Sequence, residues 1–166
     1  KALAIPTFFN LLGPLVNPCR PKNSLHGTAN QSQLRLYTNI HQKIGDNYGV
    51  ITSYDGYDEI SLTSGFKINT RYFEKVYTPL EMGLKYVKPS DIYGGETAEE
   101  AMRIFDNVLE NKSTEAQKNV ILANAACGIS LMEEELTISE TIEKARESLE
   151  SGRALQCFKK FVDINS

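Results

Sequence analysis

Between Ser24 and Tyr54 the hydrophobic period changes twice, and this constrains the fold more than any other feature of the chain. The run "SLHGTA" (24–29) reads as a short strand. In "QSQLRLYTNIHQKIG" (31–45), Leu34, Tyr37, Ile40, His41 and Ile44 recur at three-to-four spacing and Gly45 stands where a C-cap belongs. That pattern predicts an amphipathic helix. "YGVITSY" (48–54) then reads as a buried strand. Strand, helix and strand joined by short links make a βαβ unit, which predicts a parallel pair and an α/β fold.

The segments around this unit fill in the remaining layers. Downstream, "ISLT" (60–63) and "GFKINTRYFEKVYT" (65–78) read as shorter strands in a hairpin or meander. Beyond Tyr93 the pattern is wholly helical. Thr97 with Glu100, Thr114 with Gln117 and Thr137 with Glu140 each predict a capping box at a helix start. The middle helix, centred on "VILANAACGISLM" (120–132), is apolar nearly all round, as expected of a helix buried on several sides. Gly152 predicts a break before "RALQCFKKF" (153–161). Upstream, "FFNLLGPLVNP" (8–18) threads apolar residues through Gly-Pro and Asn-Pro steps, which predicts an ordered loop rather than a strand or helix. The expected architecture is a partly parallel sheet flanked by helices, with an α/β half over about 1–95 and a helical half over about 96–166. Residues 1–166 are expected to form a single partial α/β domain. The chain opens at Lys1 without methionine, in what reads as the middle of an element, so a fragment of a larger domain is expected.

Bulk properties exclude several classes. A net charge of −3 argues against a surface that coats nucleic acid. No apolar run approaches the roughly 18–20 residues a membrane span requires. Cys19, Cys127 and Cys157 are widely spaced and odd in number, which reads as reduced thiols in a cytoplasmic protein. His26 and His41 are the only histidines, and both read as structural; no nucleophile–His set, glycine-rich phosphate loop or zinc spacing can be assembled.

One pair of residues has chemistry. In "ITSYDGYDEISLTSG" (51–65) a strand ends at an Asp-Gly turn and presents Asp58 and Glu59 side by side, with Asp55 nearby. Hard cations such as Mg²⁺ take oxygen ligands, commonly one or two carboxylates completed by substrate phosphates. Taken alone, such a turn also reads as ordinary solvated structure.

The segments "IPTFFNLLGPLVNP" (5–18), "DGYDEISLT" (55–63), "GGE" (94–96), "NVILANAA" (119–126) and "ARESLESGRAL" (145–155) occur in this order with ordinary spacing. Together they resemble the C-terminal part of the anthranilate phosphoribosyltransferases and, more distantly, the pyrimidine nucleoside phosphorylases. The resemblance implies transfer of a phosphoribosyl group from phosphoribosyl pyrophosphate (PRPP) to anthranilate with release of pyrophosphate. It implies Mg²⁺ as cofactor, with Asp58 and Glu59 as its ligands, and a homodimer of the intact enzyme. It also implies that the N-terminal helical domain, the glycine-rich PRPP loop and the arginine facing anthranilate lie outside these residues, so the piece alone is expected to be inactive. A nucleoside-phosphorylase-like enzyme and a non-catalytic paralogue of the same fold are the alternatives.

Overall fold

The computed structural model describes residues 11–165. Four strands form one sheet in the order β1 (Asn23–Gly27), β2 (Asn47–Ser53), β3 (Phe66–Thr70), β4 (Glu74–Tyr77). Strand β1 runs parallel to β2, with Gly27 opposite Ile51, and helix α1 (Gln31–Ile44) makes the crossover. The β2–β3 and β3–β4 pairs are antiparallel. The predicted βαβ unit and the downstream hairpin are therefore both present. The side chain of Asn30 caps α1 by accepting from the Ser32 and Gln33 amides, and Gly45 ends it at φ +81°.

Strand β2 is buried along almost its whole length because helices cover both faces of the sheet. Alternate residues face opposite ways. Tyr48 and Val50 pack with Leu34 and Tyr37 of α1. Ile51, with Phe66 and Ile68 of β3, packs against Val120, Ala123, Ala126 and Cys127 of α3 (Glu115–Met132). On its other side α3 sends Leu122 into a cluster with Val108 of α2 (Ala98–Leu109) and with Ala145 and Leu149 of α4 (Ile138–Glu150). A helix between a sheet and two further helices keeps only a narrow solvent strip, here Ile121 and Ala125, which accounts for most of the apolar run at 120–132. Gly152, at φ +78°, separates α4 from α5 (Arg153–Asn165). None of the described helices is long and apolar enough to cross a membrane.

Two expectations are corrected. "ISLT" is not a strand: the chain bends there, Leu62 sits at φ +60°, and the backbone of Ile60 bonds to a side chain of α3 instead of to another strand. Its apolar residues are buried, which mimics a strand pattern, but Ile60 and Leu62 plug the core from a loop. In the upstream loop, Leu11 and Leu12 are helical and Gly13–Leu15 forms a 3₁₀ turn. The expectations for residues 1–10 lie outside the described residues.

Two of the three capping boxes form in full. Thr114 and Gln117 exchange bonds of 3.2 Å, and Thr137 exchanges bonds of 2.8 and 3.3 Å with Glu140. At α2 the Thr97 hydroxyl accepts from the Glu100 amide, but the Glu100 carboxylate reaches one residue further back, to the Glu96 amide. Hydrogen bonds from the hydroxyl and amide of Thr137 hold the Glu140 carboxyl below its usual range. Replacing Thr137 by Ala removes the hydroxyl that donates to the Glu140 carboxylate and accepts from the Glu140 amide, leaving only the backbone donor, and we expect a loss of about 1 kcal/mol. The urea midpoint, at unchanged slope, is the measurement.

Candidate functional site

Strands β1 and β2 are parallel, so their carboxyl ends emerge at one edge of the sheet, and the segments leaving them lie side by side. From β1 come Gly27 and Thr28. The Thr28 amide and hydroxyl both donate to the carbonyl of Ile51, at 2.8 and 2.9 Å, and so bind this exit to β2. From β2 comes the acidic turn. Its start is knotted by short bonds: the Ser53 amide donates to the Tyr57 carbonyl at 3.1 Å and the Gly56 amide to the Ser53 carbonyl at 3.2 Å. The Tyr54 amide reaches the Gly65 carbonyl at 3.0 Å, closing the whole excursion over 54–65 into a loop with joined ends.

Asp58 and Glu59 occupy the outer part of this loop and are exposed. Neither carboxylate has a hydrogen-bond or ion-pair partner among the described residues. Their backbone, in contrast, is tightly set. The Ser53 hydroxyl donates to the Glu59 carbonyl at 2.6 Å. Gly27 abuts the Asp58 main chain so closely that a Cβ there would stand 1.6 Å from the Asp58 carbonyl oxygen. Only glycine fits, and this close approach aligns the β1 exit with the acidic pair. Asp55 is committed elsewhere, accepting from the Thr63 hydroxyl.

Two free carboxylates on a fixed backbone are a donor set suited to a hard cation. Among the described residues, no three His, Cys, Asp or Glu side chains converge as a metal cage. A cation held at this edge would take protein oxygens from the pair, with the rest of its shell left to a ligand or water. Mg²⁺ fits that arrangement, since it keeps several waters and favours one or two carboxylates.

Sequence reasoning treated the two histidines separately, whereas the structure brings them together. The His26 and His41 rings stack at 4.6 Å, and His41 stacks on Tyr48 at 5.3 Å. His41 Nδ1 lies 3.0 Å from the Asp46 carboxylate, and His26 meets Tyr37 edge-on. Burial, then the neighbouring His41, holds the His26 imidazole below its ordinary value of 6.5, with Asp46 opposing. The cluster borders a cavity of about 880 Å³ along the outer side of β1. Neither that cavity nor a second of about 460 Å³, between the β3–β4 hairpin and the end of α3, is lined by Asp58 or Glu59. The acidic pair sits on an open edge. Cys127 is buried against the sheet with its thiol pushed up to about 12, a structural rather than a reactive sulfur.

Gly27, Ser53 and the histidine pair were not singled out as site residues from sequence. Gly27 carried a usable signal, because an isolated glycine at a strand end marks close backbone approach. The histidine pair carried none, since its members are brought together only by the crossover.

An open, partly parallel sheet covered by helices on both faces defines an α/β domain of the class whose ligands sit beyond the carboxyl ends of the strands. The chain belongs to the glycosyl transferase family, a/b domain, whose model matches residues 1–155. It is 53% identical over 166 residues to the anthranilate phosphoribosyltransferase of Phocaeicola vulgatus, covering 100% of this chain and 50% of that protein. Among solved structures it is similar to the anthranilate phosphoribosyltransferase of Saccharomyces cerevisiae in complex with PRPP and Mg. That match has a TM-score of 0.86 at 26% identity and covers 96% of this chain and 46% of the other. The same yeast enzyme in complex with 4-fluoroanthranilate matches with a TM-score of 0.86 at 25% identity, covering 96% and 47%. The chain thus spans about half the length of the relatives it matches.

Gly27→Ala forces a methyl group into the Asp58 backbone. Overpacking of this kind costs about 1–3 kcal/mol, and we expect a loss of that size in urea unfolding. The His26 environment gives a pH dependence of fixed sign. Its folded pKa lies below the unfolded one, so the unfolded chain binds the extra proton, and stability is lost as pH falls below about 6.5. His26→Phe should flatten the fall in stability below about pH 6.5; an unchanged slope would mean that other groups cause it.

Proposed function

We propose that these residues carry the Mg²⁺-holding edge of an anthranilate phosphoribosyltransferase. The enzyme transfers the phosphoribosyl group of PRPP to the amine of anthranilate and releases pyrophosphate. The observation that carries the reading is a pair of carboxylates without partners among the described residues, Asp58 and Glu59, on a clamped backbone in a chain 53% identical to a protein of that name. Support for Mg²⁺ and PRPP comes from the yeast structure that contains both, and support for the acceptor from the complex with 4-fluoroanthranilate. On this reading residues 1–166 are one partial α/β domain of a cytoplasmic homodimer, and the rest of the active site is supplied from outside them.

The residue types suit the reaction. Breaking the bond between the ribose C1 and the diphosphate oxygen leaves positive character on the sugar and negative charge on the leaving group. When bound, Mg²⁺ supplies Lewis-acid stabilisation to the departing diphosphate. The role of Asp58 and Glu59 is to hold the cation at a fixed place, using oxygens that nothing else in the described structure engages. Neither serves as a proton acceptor: both are exposed on the turn, and an aromatic amine depends more on positioning and leaving-group stabilisation than on a strong base. Ser53 and Gly27 act on the backbone and keep the two carboxylates at the same edge as the β1 exit.

The test is made in the full-length protein. Glu59→Gln and Asp58→Asn should each raise the Mg²⁺ concentration for half-maximal rate at least tenfold and lower kcat by about 10²–10³, the range seen when one charge-stabilising group is removed. Mn²⁺ titration followed by electron paramagnetic resonance should show the matching loss of affinity. Turnover of pyrimidine nucleosides with phosphate, and none of anthranilate with PRPP, would refute the substrate assignment.

A further inference from the structure

We infer that Asn124 is a positioning residue, acting with Ser53 through the main chain to set the direction of Glu59. The inference rests on the metal-holding role proposed above for the acidic pair. Asn124 lies on α3 in the row Val120, Ala123, Asn124, Cys127, the face that packs on the sheet. An amide in an apolar row is costly unless its hydrogen-bonding capacity is met. Here it is met by backbone alone. Oδ1 accepts from the Ile60 amide at 3.0 Å, while Nδ2 donates to the Ile60 carbonyl at 2.8 Å and to the Val120 carbonyl at 2.9 Å. The orientation of the amide is unambiguous, because the flipped form would set its oxygen against two carbonyls.

The side chain therefore does for Ile60 what a neighbouring strand would do, taking both its N–H and its C=O. The Ile60 amide nitrogen belongs to the peptide unit whose oxygen is the Glu59 carbonyl, and that oxygen accepts from the Ser53 hydroxyl at 2.6 Å. One peptide plane is thus gripped at both ends, its oxygen from β2 and its N–H from α3. It cannot turn without breaking both bonds, and its orientation fixes where the Glu59 side chain leaves the backbone. The Ile60 side chain, fully buried with Leu62 and Phe66, prevents the segment from sliding instead. A buried helix that touches neither carboxylate is in this way the reference frame for one of them.

Asn124→Asp keeps the acceptor for the Ile60 amide but loses both donors and opposes two carbonyls with a charge. Ser53→Ala frees the other end of the same peptide. The readout is Mn²⁺ affinity with pyrophosphate as companion ligand, measured by paramagnetic resonance on the full-length protein, alongside the KM for anthranilate and the melting temperature. We expect a 10–100-fold loss of Mn²⁺ affinity for Asn124→Asp, the usual range for residues that orient a metal ligand, with the anthranilate KM within twofold of wild type. Ser53→Ala should shift Mn²⁺ affinity in the same direction and serves as the test if Asn124→Asp does not fold. Wild-type Mn²⁺ affinity in a folded Asn124→Asp, or in Ser53→Ala, overturns the inference. So does a loss shared equally by Mn²⁺ affinity and the anthranilate KM, which would mark general loosening. Glu59→Gln is the control: if it too binds Mn²⁺ as wild type does, the metal assignment of the pair has failed, and not merely the role of Asn124.

Discussion

The burial of β2 between two helices is the constraint on which the rest depends. Tyr48 and Val50 are held by α1, Ile51 by α3, and the strand is bonded to β1 on one side and β3 on the other. A strand fixed on both faces and both edges delivers its last residue, Ser53, to a defined point. The loop that carries Asp58 and Glu59 begins there, so its position is inherited from the core rather than from its own short-range bonds.

That origin explains how an exposed turn can be both open and exact. Free carboxylates adjacent in sequence repel each other and would ordinarily sample many directions. Here conformational freedom is removed from the main chain instead of the side chains, by the close approach of Gly27, the Ser53 hydroxyl and the Asn124 amide. The carboxylate oxygens remain available to a ligand because no group among the described residues satisfies them. The arrangement differs from that of His41 and Asp46, where the charged group is spent on an internal partner and the pair is structural.

Legibility from sequence followed the range of the interactions. The α1 helix, its Gly45 terminus, the full capping boxes at α3 and α4 and the break at Gly152 all depend on contacts within a few residues, and period and cap residues announce them. "ISLT" misled because burial alone was read as strand; its backbone partner is Asn124, 64 residues away, and no local pattern records it. The Thr97 box was only half right because the Glu100 carboxylate preferred the preceding amide, an option that spacing does not distinguish.

By itself the sequence determined the period of each element, the parallel sense of the first strand pair and the presence of two adjacent acids after a strand, since these follow from local stereochemistry and short connections. Only the tertiary structure decided how those acids are held. It set Gly27 against Asp58, left both carboxylates without partners among the described residues and anchored the peptide beyond Glu59 to α3, because the contacts that do so join segments the chain brings together only when the sheet and its covering helices pack.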